Sequence, residues 1–206
     1  VAKAAPWLTL DGDPYPAVID GKVIWIIDGY TTSAGYTYAK KTSLSGATAD
    51  ALTANSTSIT AQLNTSVNYI RNSVKATVDA YDGTVSLYQW DEKDPVLSTW
   101  SKAFPGVIKP KSAISEGLMS HIRYPEDIFR VQRDILSSYH VQTANAFYGG
   151  QDFWRVPRDP STFGSNAGAQ PPYYYTLEMP GAKKPAFSLT TPFVPRGGRE
   201  NLSAFA

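Results

Sequence analysis

Ser73-Val74-Lys75-Ala76-Thr77-Val78-Asp79-Ala80-Tyr81-Asp82-Gly83-Thr84-Val85-Ser86-Leu87-Tyr88-Gln89-Trp90 is the stretch whose reading decides the fold. Val74, Ala76, Val78 and Ala80 alternate with Lys75, Thr77 and Asp79, the period of two that gives a strand one apolar and one polar face. Asp82-Gly83 supplies the turn, because these residue types tolerate the positive φ of a tight hairpin, and Thr84 to Tyr88 returns as the second strand. Directly afterwards, Asp94-Pro95 reads as a helix N-cap and first helical residue. Val96, Leu97, Trp100, Ala103 and Phe104 then fall on one stripe until Pro105-Gly106 stops the helix. A ribbon and a helix with one oily side each bury both by stacking.

The same logic recurs upstream. Trp7 to Leu10, Ala17 to Ile19 and Val23 to Ile27 read as strands, with Asp20-Gly21 as the turn between the last two. Downstream, a helical region from about Ser115 to Tyr139 breaks at Tyr124-Pro125. Beyond the break the 3.6-residue period places Ile128, Phe129, Val131, Ile135, Leu136 and Tyr139 inward and Glu126, Asp127, Arg130, Arg133 and Asp134 outward. Asn145 to Trp154 reads as a short aromatic-packed turn or helix. Tyr173 to Met179 and Phe187 to Val194 read as a closing hairpin. Short helices are expected around Thr48 to Leu52 and Ile59 to Tyr69. The expected class is therefore α+β: antiparallel β-hairpins forming a sheet with amphipathic helices packed on one face, plus long irregular loops at about 31–66 and 155–172, in a single domain over 1–206.

A hydrophobic fraction of 42% with 18% charged residues belongs to chains that fold. Lys and Arg number 19 against 18 Asp and Glu, so no global field gathers nucleic acid or anionic lipid, and no nucleic-acid partner is expected. No apolar run approaches the roughly 20 residues that cross a bilayer, so no membrane insertion by this segment is expected. Val1 is not an initiator methionine, and the chain reads as a segment of a longer one. With no cysteine there are no disulfides, thiolate zinc sites or cysteine nucleophiles.

Chemistry-bearing motifs are scarce. His121 and His140 lack the i, i+4 spacing that places two imidazoles on one metal, and no nucleophile elbow, phosphate-cradling loop, dinucleotide fingerprint or zincin helix is present. Neither a metal, a cofactor nor a catalytic residue is expected. Asp11, Asp13, Asp20 and Asp28 cluster near the first hairpin. Several oxygens from a tight loop are what a hard cation takes, but Asp beside Gly or Pro is also ordinary turn chemistry, which is the preferred reading. The segment most suited to an anion is Pro195-Arg196-Gly197-Gly198-Arg199, two guanidiniums around a flexible Gly pair, so Arg196, Gly197, Gly198 and Arg199 are candidate binding residues. Tyr30 and Tyr36 are candidates of another kind, stiff aromatic area with a polar tip that suits a sugar or a peptide. A charged turn and a packed core are the ordinary alternatives for the two sets.

Six longer strings add to this. They are Trp7-Leu8-Thr9-Leu10-Asp11-Gly12-Asp13-Pro14-Tyr15-Pro16, Ile26-Ile27-Asp28-Gly29-Tyr30-Thr31-Thr32-Ser33, the run Asn68 through Val85, Arg123-Tyr124-Pro125-Glu126-Asp127, Phe147-Tyr148-Gly149-Gly150-Gln151-Asp152-Phe153-Trp154, and Phe193 through Leu202. Together they resemble the UPF0182 family of bacterial membrane proteins. The resemblance implies a parent several times longer, with an N-terminal bundle of transmembrane helices followed by a large extracytoplasmic region of which this chain is an early part. It carries over no catalytic residue. The partner it implies is the transmembrane part of the same parent; the absence of catalytic motifs and the aromatic loops add an expected protein or envelope partner outside the membrane. The expected function is a non-catalytic binding domain, against an envelope-acting hydrolase using Asp11, Asp13 or Asp28, or a structural spacer.

Overall fold

The computed structural model describes residues 1–51, 62, 64–160 and 168–206. In chain order the strands and helices are β1 (Thr9–Leu10), β2 (Tyr15–Ile19), β3 (Lys22–Ser33), β4 (Thr42–Ser43), α1 (Leu44–Ala47), β5 (Ser66–Val67), β6 (Tyr69–Asp79), β7 (Val85–Gln89) and α2 (Pro95–Ala103). There follow β8 (Ile108–Lys109), α3 (Glu116–Met119), α4 (Glu126–Tyr139), α5 (Ala144–Gly149), β9 (Trp154–Arg155), β10 (Tyr173–Leu177), β11 (Ala186–Thr190), β12 (Pro192–Pro195) and β13 (Ala204–Phe205). The chain forms two compact units, one of Val1–Leu44 with Gln62–Ile128 and one of Ser45–Ala61 with Phe129–Ala206.

The first unit is the α+β layer that the sequence calls for. Its sheet runs β1-β3-β6-β7-β8 with β2 also paired to β3, antiparallel except for the parallel β7–β8 contact. Asp20 (φ 51°) and Gly21 (φ 77°) make the expected two-residue turn. The second hairpin turns differently. Of its loop residues only Gly83 has positive φ, and the turn closes through Gly83 N–H to Asp79 C=O (2.9 Å) and Asp79 N–H to Thr84 C=O (3.0 Å). On one face Ala5, Leu8, Val74, Ala76 and Leu87 surround Leu97 of α2, all buried. Trp100 stacks on Trp7 at 5.3 Å rather than facing water. Ile26, next to Ile27 and so on the opposite face, packs with Ile19, Ile114 and Leu118 of α3, which adds a helix to the second side of the sheet.

Two expectations change here. The loop expected from about residue 31 starts later, because β3 continues to Ser33 against β6, and Tyr69 opens a strand rather than ending a helix. Of the helix expected around Ile59, residues 59–61 and 63 lie outside the described residues. Around Thr48 the chain does coil, as α1 and a 3₁₀ turn at Ala49–Ala51. Gly29 explains how the strand continues. A Cβ there would stand 3.0 Å from Leu8 Cδ1 and 3.3 Å from Val74 Cβ, so glycine lets β3 pass beneath Leu8. We expect Gly29→Ala to lower stability by about 1–2 kcal/mol through overpacking, read as a shifted urea midpoint; an unchanged midpoint would mean Leu8 swings aside freely.

In the second unit β10 and β11 form the closing hairpin, β9, β12 and β13 form a small sheet, and Phe193 is fully buried. Phe147 sits against Tyr139, Tyr148 and Phe153, while Trp154 packs on Phe193 and stacks on His140. The outward face expected for α4 is wrong in detail: Asp127, Arg130 and Arg133 are buried, and Ile135, Leu136 and Tyr139 are 48%, 38% and 56% exposed. Buried partners account for the arginines. Arg133 Nη2 reaches Asp50 at 2.7 Å and its Nη1 donates to the Gln170 carbonyl at 3.2 Å, while Arg130 Nε lies 3.6 Å from the same aspartate. A charge is tolerable inside when it is paired and hydrogen-bonded, so amphipathicity alone could not orient this helix.

Candidate functional site

Among the described residues of the first unit, the start of α4 gathers the carboxylates Asp11, Asp13 and Asp127. Pro125 precedes the helix and has no side-chain acceptor for its first N–H groups, which every helix leaves without intrahelical partners. Residues far away in sequence supply them. Asp11, just past β1, accepts the Asp127 N–H on Oδ2 at 3.2 Å, and the Tyr30 hydroxyl of β3 accepts the Ile128 N–H at 3.4 Å. In return Asp127 Oδ2 accepts the Gly12 N–H at 2.9 Å. This is the reciprocal logic of a capping box, made between segments 115 residues apart.

Around this lock the polar groups are dense. The Tyr30 hydroxyl donates to Asp11 Oδ2 in a very short hydrogen bond, and the Asp13 N–H donates to Asp11 Oδ1 at 2.8 Å. The Gln62 side-chain amide donates to Asp127 Oδ2 at 2.6 Å and to the Leu10 carbonyl at 2.7 Å. Asp28 lies beyond, its backbone carbonyl taking the Asp11 N–H at 2.9 Å and its carboxylate ion-paired to Lys75, both side chains almost wholly buried. Lys75 Nζ also donates to the Arg123 carbonyl at 3.2 Å. Burial, with the Asp127 charge second, pushes the Asp11 carboxyl up to about 7. Burial and the neighbouring Asp11 carboxylate push the Tyr30 hydroxyl well above its ordinary range, and burial raises Asp28 despite the Lys75 ammonium against it.

Two chemistries are open to such a group. Oxygens of Asp11, Asp13 and Asp127 lie within 4.8 Å of one another, the hard-oxygen set a divalent cation takes. However, the Asp11 and Asp127 oxygens already accept N–H and O–H bonds, so a cation would have to displace donors that cap a helix. A carboxyl titrating near neutrality can instead hold a proton. Asp20 is not one of these grouped carboxylates; with φ 51° it serves its turn.

The other sequence candidates fall elsewhere. Tyr30 is completely buried in β3 as part of the lock, not on a loop. Tyr36 is 62% exposed and stacks on Tyr69 at 6.0 Å, its loop held by Asn68, which pairs with the Tyr36 backbone on both sides. In the second unit Gly197 and Gly198 both take positive φ, the Arg196 guanidinium lies 5.8 Å over the Phe153 ring, and Arg155 binds the Arg199 carbonyl and the Glu200 carboxylate at 3.0 and 2.6 Å. That unit also holds a cavity of about 150 Å³ lined by Asp50, Arg130, Arg133 and Asp134, a set that balances in charge. Sequence reasoning missed Asp127, Gln62 and Lys75. Asp127 carried the one available signal, an acid in the first turn of a helix whose proline cannot cap it.

With the geometry in view, comparison with known proteins gives one consistent answer. A family model described as "Uncharacterised protein family (UPF0182)" matches residues 1–206. A UPF0182 protein of Thermobifida fusca is 58% identical over 205 residues, one of Streptomyces coelicolor 58% over 207, and one of Bifidobacterium longum 54% over 210. Each alignment covers 100% of this chain and 20% of the relative, so the chain spans about a fifth of the length of these curated relatives. No solved structure matches it.

Proposed function

The chain belongs to the uncharacterised protein family UPF0182, and on that premise we propose that it is a non-catalytic interaction domain of a much longer membrane-anchored protein, held on the extracytoplasmic side, where it contacts a protein, peptide or envelope component. One observation carries this reading: the buried carboxylates are used to hold the fold. Asp11 and Asp127 lock α4, Asp28 pairs with Lys75, and Asp94 accepts five hydrogen bonds at the start of α2. What faces water instead is aromatic, with Tyr36 62%, Tyr38 104%, Tyr81 100% and Tyr148 88% exposed. Tyr offers rigid area at small entropic cost, which suits recognition. No described helix is long and apolar enough to cross a membrane, so the anchor of this reading belongs to the rest of the parent.

The test has two arms on the full-length protein in its own cells. A membrane-impermeant amine reagent added to intact cells should modify Lys40 or Lys41, beside Tyr38; modification only after lysis would refute the location. A photo-cross-linking residue at Tyr38 should capture an envelope component, and capture should survive Asp11→Asn. One observation favours the hydrolase alternative, the Asp11 carboxyl near pH 7 beside Asp127. Turnover of envelope material lost in Asp11→Asn with the fold intact would put that reading in place of ours.

A further inference from the structure

We infer that the apolar sheet face around Trp25 is the surface on which another part of the same full-length polypeptide packs. Side chains alternate along β3, so Trp25 and Val23 share the face of Ile27, which belongs to the cluster around Leu97 of α2. The register extends that face sideways. Pro16 and Val78 lie opposite Trp25, Val18 lies opposite Val23, and Val85 lies opposite Val78. Six residues on four adjacent strands, all apolar, thus continue the covered core outward along the sheet, and five of them are open: Pro16, with Val18 66%, Val23 47%, Trp25 40% and Val85 39% exposed.

A sheet face meant for water reads polar at alternate positions, because only the covered side gains from apolar residues. Here the wet positions read Pro, Val, Val, Trp, Val, Val. β-branched residues around one tryptophan make an exposed apolar surface with no charged group among them, and such a patch marks a contact. The occupant follows from length. The matched segment is 20% of its curated relatives, leaving four-fifths of the polypeptide to supply a cover. A covalently attached segment arrives at millimolar effective concentration, well ahead of a separate copy at cellular levels. The segment that fits is an apolar one, a helix stripe or a second sheet face, since the patch offers nothing for a charge to pair with.

This stands whether or not the extracytoplasmic reading holds. Its test is maleimide labelling of Val18→Cys and, separately, Val23→Cys in the full-length protein, with the modified peptide identified by mass spectrometry and each rate taken relative to the urea-unfolded protein. The segment contains no cysteine of its own, and both positions are exposed enough to accept the change. We expect at least tenfold protection that persists on dilution and in detergent. Rates within twofold of the unfolded protein would overturn the inference. Protection that fades on dilution would assign the face to a second copy, protection lost in detergent would assign it to lipid, and either would overturn it too.

Discussion

Replacing Asp94 with alanine should destabilise the protein by about 3–5 kcal/mol. The side chain is 1% exposed and accepts the Thr31 and Ser73 hydroxyls at 2.6 and 2.5 Å, the Tyr69 hydroxyl at 2.6 Å, and the Val96 and Leu97 N–H groups at 2.9 and 3.2 Å. Loss of an N-cap alone costs about 1 kcal/mol, and each buried donor left unmatched adds roughly 1–3 kcal/mol. The bulge in β6, where the register steps between Gly29 and Tyr30, brings Ser73 to the side of Thr31, so that both hydroxyls meet one carboxylate. Burial alone would raise this carboxyl, but the hydrogen bonds from Ser73, Thr31, Tyr69 and Val96 outweigh it and hold it below the usual range. Its contribution is therefore full at neutral pH and is lost as pH falls through the folded-state value. Equilibrium urea unfolding measures the change; a loss under about 1 kcal/mol for Asp94→Ala would show that water replaces the carboxylate. Asp94→Asn, which keeps one acceptor, should lose less.

The second large effect has the opposite sign in pH. Asp11 rises from an ordinary 3.8 to about 7, so between those values the folded chain holds a proton that the unfolded chain has released. Stability then falls as pH climbs from about 4 to about 7 and levels off above. At roughly 1.4 kcal/mol per pH unit the fall is on the order of 4 kcal/mol. The titratable groups near Asp11 include Asp13, Asp127, Tyr30 and Asp28, and of these Asp28, also raised by burial, adds a slope of the same sign. Urea midpoints at pH 4.5 and pH 8 should differ strongly in the parent chain and much less in Asp11→Asn, with a residue of slope left by Asp28. An unchanged slope in Asp11→Asn would remove Asp11 as its source.

How much of this was legible in the sequence depends on how local the cause is. The Asp20-Gly21 turn and the Asp94 cap were readable because each is decided within a few residues by backbone tolerance and by reach. The far half of β3 was not. Gly29 and the threonines after it have loop composition, and the nearness of Leu8 and Val74 explains the glycine. For α4 the period was right and the face was wrong, since Asp50 draws the arginines inward and no local pattern announces that partner. The acids told half their story: Asp11 and Asp28 were singled out as a group near the first hairpin, yet Asp127, which gives them their meaning, sits more than a hundred residues away with an ordinary surface signature.

That separation sets a timetable for the ribosome. At about 5–20 residues per second, the 115 residues between Gly12 and Asp127 take on the order of 6–23 seconds to emerge. Through that interval the nascent ribbon carries an acid and a tyrosine whose counterpart has not been made. Strand pairing can begin during synthesis, whereas the helix-start contact waits for the last residues of the first unit, which places its closure near the end of that unit's assembly.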